Sequence, residues 1–148
     1  MFSTILVAVD GSKHSMKAVE VAADLTCHHP DIKLIMLSVY KHISATENTH
    51  SLVRTRRPVD PPDAALKDWA QEIVEVAANR AREVGAKHVE TLVRRGPPAR
   101  TIVQVAKELN AGAIVMGSRG LGDIGSVLMG SISHKVSNLA ECSCITVK

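Results

Sequence analysis

Aromatic residues are almost missing from this chain: one Trp, one Tyr and one Phe, 2% of 148 residues. That scarcity removes the stacking platforms on which single-stranded nucleic acids are held. The net charge of only +3 is too small to point to nucleic acid by itself. Cysteine is also scarce. Cys27, Cys142 and Cys144 are odd in number and lack framework spacing, which excludes a secreted disulfide scaffold. The Cys142-x-Cys144 pair is read more simply as thiols in a reducing cytoplasm than as a metal or redox pair. No apolar run approaches the length that spans a bilayer. Met1-Phe2-Ser3-Thr4 carries no basic region before an apolar run that stops at Asp10, so no signal peptide is predicted. The expectation is a cytoplasmic protein with no membrane and no nucleic-acid partner.

Two nucleotide signatures are missing as well. No Gly-Lys-Ser/Thr is present, which disfavours a P-loop NTPase. The first strand is followed by Gly11 alone rather than Gly-x-Gly-x-x-Gly, which disfavours a nicotinamide dehydrogenase. No Cys/His/Asp/Glu spacing resembles a zinc site, so no protein metal ligands are assigned.

What is present is a set of short, continuous apolar runs. Ile5-Leu6-Val7-Ala8-Val9, Leu34 to Val39 and Ala113-Ile114-Val115-Met116 have the unbroken hydrophobicity of strands buried on both faces. Val89 to Val93 alternates in part and fits a sheet edge. Cys144 to Val147 is a short terminal strand, also suited to an edge. Helical stripes fall between them. Met16, Val19, Ala23 and Thr26 follow Ser12, a plausible N-cap. Leu66, Trp69, Ile73, Val76 and Arg80 form a long helix starting at or near Asp63 and ending at Gly85, with Trp69 predicted to pack in the core. Ile102, Val105, Ala106 and Leu109 mark a third helix, and Ile132, Val136 and Leu139 a fourth. Lys41 to Pro62, with Arg54, Arg56 and Arg57, has no sustained period and reads as a long excursion. Strict β-α alternation predicts one α/β domain over 1–148 with a parallel sheet, helices on both faces and right-handed crossovers.

Ligands of such sheets bind beyond the carboxyl ends of strands, where the winding reverses. The first strand ends in Asp10. The fourth ends in Gly117-Ser118-Arg119-Gly120, and the next helix opens at Gly130-Ser131. Glycine carries no Cβ, so such a loop can bring backbone N–H groups against phosphate oxygens. Arg119 adds a cation and Ser131 a hydroxyl. A plain surface loop is the alternative for the glycines, and turn capping is the alternative for Asp10.

These residues resemble the universal stress protein family over nearly the whole chain. The resemblance is carried by Ile5 to Ser12, by Gly96-Pro97 before the third helix, and by Val115-Met116-Gly117-Ser118-Arg119-Gly120. Gly117, Gly120, Gly130 and Ser131 are similar to the Gly-x2-Gly-x9-Gly-Ser/Thr pattern of that family's ATP-binding branch. The resemblance implies ATP as ligand, with Mg²⁺ held by the phosphates. It implies that Asp10 meets the ribose, that the backbone near Val39 faces adenine, and that Met116, Gly117, Ser118, Arg119, Gly120, Gly130, Ser131 and Ile132 form the rest of the site. It also implies a stress-response role and a homodimer through the C-terminal edge strand. Many members carry a proline between the last helix and strand, where this chain has Cys142-Ser143-Cys144; that departure bears on the edge, not on the nucleotide motif. The expected fold is a Rossmann-like open five-stranded sheet in the order 3-2-1-4-5. A nucleotide-binding protein with at most slow hydrolysis is the leading reading. A slow ATP hydrolase or nucleotidyl-transferring enzyme is the alternative, with Asp10, Asp123 and His134 as its only candidates for base or acid. A purely structural module with an empty site is the third.

Overall fold

The computed structural model describes residues 2–41, 63–121 and 129–148. The expected excursion beyond Lys41 and the candidate Asp123 lie outside the described residues. Nine elements follow in order: β1 (Thr4–Ala8), α1 (Lys13–Cys27), β2 (Lys33–Tyr40), α2 (Asp63–Val84), β3 (His88–Arg95), α3 (Pro98–Glu108), β4 (Ala113–Gly117), α4 (Ser131–Leu139) and β5 (Ser143–Val147). The strands form one parallel sheet in the order β3-β2-β1-β4-β5. This is the predicted α/β fold, with the Val89 strand and the terminal strand at its two edges.

Alternation along the central strands feeds two separate cores. Ile5, Val7, Leu34, Met36, Ala113 and Val115 pack with Ala18, Val19, Ala22 and Ala23 of α1 and with Val74, Ala77, Ala78 and Ala81 of α2. Leu6, Ile35, Leu37, Ile114 and Met116 pack on the opposite face with Ile102, Val105 and Ala106 of α3 and Val136 of α4. Both faces are covered, which is why these strands read as unbroken apolar runs. Among the described residues no helix is long and apolar enough to cross a membrane.

Two helices turn differently from the sequence expectation. Trp69 is 55% exposed rather than core, and Val76 is exposed too. The buried face of α2 is Ala70, Val74, Ala77, Ala78 and Ala81. Small side chains let the helix axis come close to α1 and the sheet, so the alanines take the contact and the bulkier row slides to the shoulder. Only Ile73 of that row packs partly against the core. In α4 the buried residues are Ser133 and Val136, while Ile132 and Leu139 are exposed. Cys27 is exposed, and Cys142 and Cys144 are half-buried, all three as free thiols. Burial pushes the Cys142 and Cys144 thiols up from their ordinary value.

Candidate functional site

The register of the three central strands assembles the site. Ala8 lies beside Leu37 of β2 on one side and Met116 of β4 on the other. The residues just past those positions, Asp10, Val39 and Gly117, therefore come together at the carboxyl edge of the sheet. This is the point where the strand order reverses, the usual place for a ligand in an open α/β sheet.

Asp10 enters a tight turn. Gly11 at φ +83° takes a backbone conformation that only glycine adopts cheaply. Ser12 then caps α1 by accepting the Ser15 N–H at 3.2 Å. Ser15 is buried, and its hydroxyl donates to the Ser12 carbonyl at 2.9 Å and accepts the Asp10 N–H at 3.4 Å. The Asp10 carboxylate is held from two sides. One oxygen accepts the Ser12 N–H at 2.9 Å and the other the Leu121 N–H at 3.2 Å. An ionised carboxylate offers about four lone-pair sites, so these two bonds fix its direction and leave acceptor capacity toward the cleft.

The glycine segment has a different anchor. The Ser118 N–H donates to the Val147 carbonyl of β5 at 2.7 Å, and the Ser118 carbonyl accepts the Gly130 N–H at 2.6 Å. Gly130 is the N-cap of α4, has an extended backbone, and makes no side-chain cap bond. The first-turn N–H groups of α4 thus face the cleft without a capping side chain, and the helix dipole adds positive character there. The α3 N-cap, Pro97, likewise makes no side-chain cap bond, and Pro98 lines the same cleft.

The resulting cavity has a volume of about 400 Å³, within the roughly 300–1,000 Å³ range of small-molecule sites. Leu37, Val39, Pro98, Ile102 and Met116 form an apolar wall, and Asp10, Arg119, Gly130 and Ser131 supply polar and charged groups. Such a surface suits a ligand with a flat apolar part and an anionic part. Among the described residues the lining contains one carboxylate, Asp10, and one cation, Arg119.

Of the ten residues singled out in the sequence, nine line this cavity: Asp10, Val39, Met116, Gly117, Arg119, Gly120, Gly130, Ser131 and Ile132. Ser118 does not; it is buried behind the lining, where its backbone ties the segment together. Ile132, expected both on the packed stripe of α4 and in the site, is 41% exposed and lines the cavity. His134 is exposed, lies outside the lining, and sits 3.5 Å from the Asn138 amide. Gly117 lines the cavity, but its missing side chain serves another purpose. A Cβ there would lie 2.7 Å from the His14 carbonyl carbon and 2.8 Å from the Ser15 nitrogen. Its lack of a side chain lets α1 begin against the end of β4.

Sequence reasoning missed Ser15, Leu37, Pro98, Ile102 and Ser133 as lining residues. Leu37 was within reach, since it lies two residues from Val39 on the same side of β2. Ser133 had no signal, because a serine inside a helix start reads as an ordinary surface position.

The same geometry is that of a known family. The universal stress protein family matches residues 1–148. Universal stress protein YxiE of Bacillus subtilis is 34% identical over 150 residues, covering all of both chains. Among solved structures, a universal stress protein in complex with cAMP is 25% identical with a TM-score of 0.72, covering 99% of this chain and 97% of that one. The universal stress protein from Archaeoglobus fulgidus in complex with dAMP is 23% identical with a TM-score of 0.66, covering 98% and 97%, and shares the fold. By its sequence over its full length, and by its strand order, this chain belongs to the universal stress protein family.

Proposed function

We propose that this chain binds an adenine nucleotide, ATP above all, in the cleft between Asp10 and the start of α4, and acts through that binding. The observation that carries the reading is the make-up of the cavity lining: Leu37, Val39, Pro98, Ile102 and Met116 supply an apolar surface, and Asp10, Arg119 and the uncapped α4 N-terminus supply the polar and charged groups. The base lies against the apolar wall. Ribose hydroxyls donate to the free lone pairs of Asp10. The phosphates meet the N–H groups of the first turn of α4, with Ser131 and Arg119 beside them. The related protein that holds cAMP supports an adenine ligand. Among the described residues no group of three or more His, Cys, Asp or Glu can hold a metal ion; in this reading Mg²⁺ arrives on the phosphate oxygens, its common mode.

Binding rather than fast turnover is proposed because the remaining lone pairs of Asp10 are taken by the ribose in this reading, and among the described residues the lining holds no other carboxylate and no histidine to act as a general base. Family membership supports a stress-response role, and we place the protein in the cytoplasm. We also propose a homodimer through β5. That strand is a sheet edge, and an unpaired edge invites a second copy. Lys17 of α1 reaches the Lys148 carbonyl at 3.5 Å, so this face of α1 borders β5. Val21 and Leu25, exposed, continue along it at helical spacing.

The reading is tested by melting with ATP–Mg²⁺, cAMP and GTP, alongside mass spectrometry of nucleotide retained on gentle purification. A ligand at a hundred times its Kd adds about 2.7 kcal/mol, a shift of roughly 5–10 °C for a domain of this size. The expected result is a shift with adenine nucleotides that exceeds the shift with GTP or phosphate. Equal shifts for all of them remove the adenine claim.

A further inference from the structure

We infer that the Ser133 hydroxyl is the positioning group for the phosphate end of this cleft, acting through a clasp on the Ser118 carbonyl. The inference rests on the nucleotide reading above and adds a lining residue whose hydroxyl is engaged by two backbone carbonyls.

Two donors meet at that carbonyl. It accepts the Gly130 N–H at 2.6 Å and the Ser133 hydroxyl at 3.0 Å. A carbonyl oxygen has two lone pairs and takes both donors. The Ser133 hydroxyl also lies 3.0 Å from the Gly130 carbonyl, so its single proton is shared between the two ends of the segment. Ser118 is itself fixed, because its N–H donates to Val147 of β5. A continuous line of hydrogen bonds therefore runs from β5 through Ser118 to the first turn of α4. Ser118 and Ser133 are each 4% exposed, which shields these bonds from water and makes an unmade one costly.

The clasp matters because α4, which packs against α3, buries little of itself. The helix is nine residues long, and its only buried residues are Ser133 and Val136. Val136 and the α3 contact set its distance from the sheet, but apolar contact is non-directional and fixes rotation and slide along the axis less sharply than hydrogen bonds do. The directional bonds from Gly130 and Ser133 to a fixed carbonyl set both. They thereby place the first-turn N–H groups opposite Asp10. A small displacement of donors from an anion weakens a charge-assisted bond steeply, so the clasp controls phosphate affinity without touching phosphate.

The test compares the parent, Ser133→Ala and Ser133→Thr by ATP titration and by amide hydrogen exchange without ligand. Ser133→Ala is expected to weaken ATP binding about three- to tenfold. It should also speed exchange at Gly130 while the amides of β1 and β4 keep their protection. Ser133→Thr, which retains the hydroxyl, is expected to restore both. If Ser133→Ala binds ATP as the parent does, or Ser133→Thr fails to restore binding, the inference is wrong. The same holds if protection falls evenly across the sheet, since that marks a general loss of stability. A parent protein that binds no ATP is a separate result: it removes the nucleotide reading itself, and this inference with it.

Discussion

Asp10 and Leu121, at the ends of two different segments of the cleft, are joined by a hydrogen bond from the Leu121 N–H to the Asp10 carboxylate at 3.2 Å. The other carboxylate oxygen holds the Ser12 N–H. One side chain thus fixes the turn after β1 and the start of the segment beyond Gly120, and its remaining lone pairs face the cavity.

The first prediction follows for the ribose. Asp10→Ala should weaken ATP binding by about 1.5–3 kcal/mol, the range for hydrogen bonds to a charged group, or roughly 10- to 150-fold. It should also narrow the difference between ATP and its 2′- and 3′-deoxy analogues. Titrating the three nucleotides into both proteins separates the roles. An equal loss for all three would show that Asp10 shapes the loop and does not touch the sugar.

Gly117 supplies a stability prediction. The atoms that a new Cβ would meet are the His14 carbonyl carbon, the Ser15 nitrogen and the His14 Cβ fixed to that backbone, so no flexible side-chain end can move aside. Overpacking of this kind costs about 1–3 kcal/mol, a fall in Tm of roughly 3–10 °C for a chain of this length. Thermal denaturation of ligand-free Gly117→Ala measures it. An unchanged Tm would mean that α1 does not need this close approach.

The proposed dimer is tested on the α1 face beside β5. Val21 and Leu25 are exposed, so Val21→Glu with Leu25→Glu leaves the monomer core intact. Sedimentation should show a dimer for the parent and a monomer for the double variant at equal concentration. A parent that stays monomeric at high micromolar concentration contradicts the proposed dimer.

Much of the architecture was readable in the residues because the signals were long and one-sided. The runs at Ile5, Leu34 and Ala113 had no alternative to strands buried on both faces, and Ser12 and Gly85 marked helix ends by their backbone chemistry. The cleft was legible where a residue type serves one purpose, as with Asp10 at a strand end and Gly130 at a helix start. It was not legible where several purposes share one residue type. Gly117 looked like a glycine for a ligand and also makes room for α1. Ser118 looked like part of a binding loop and serves as its backbone clasp. Trp69 belonged by periodicity to the buried stripe, but the alanines of α2 allow a closer approach than tryptophan does, and they won the contact. Ser133 depends on a tertiary hydrogen bond, which no local pattern announces.

The central claim, that phosphates lie against the first turn of α4, is tested most directly by calorimetric titration of ATP into the parent and into Gly130→Val. Gly130 has φ −67° and ψ 159°, an extended conformation that valine tolerates, so the variant should fold, as circular dichroism can verify. Its side chain would occupy the space at the helix start that the phosphates need. The account predicts one ATP per chain in the parent and a loss of most of that affinity in the folded variant. A folded Gly130→Val that binds ATP as tightly as the parent would contradict it.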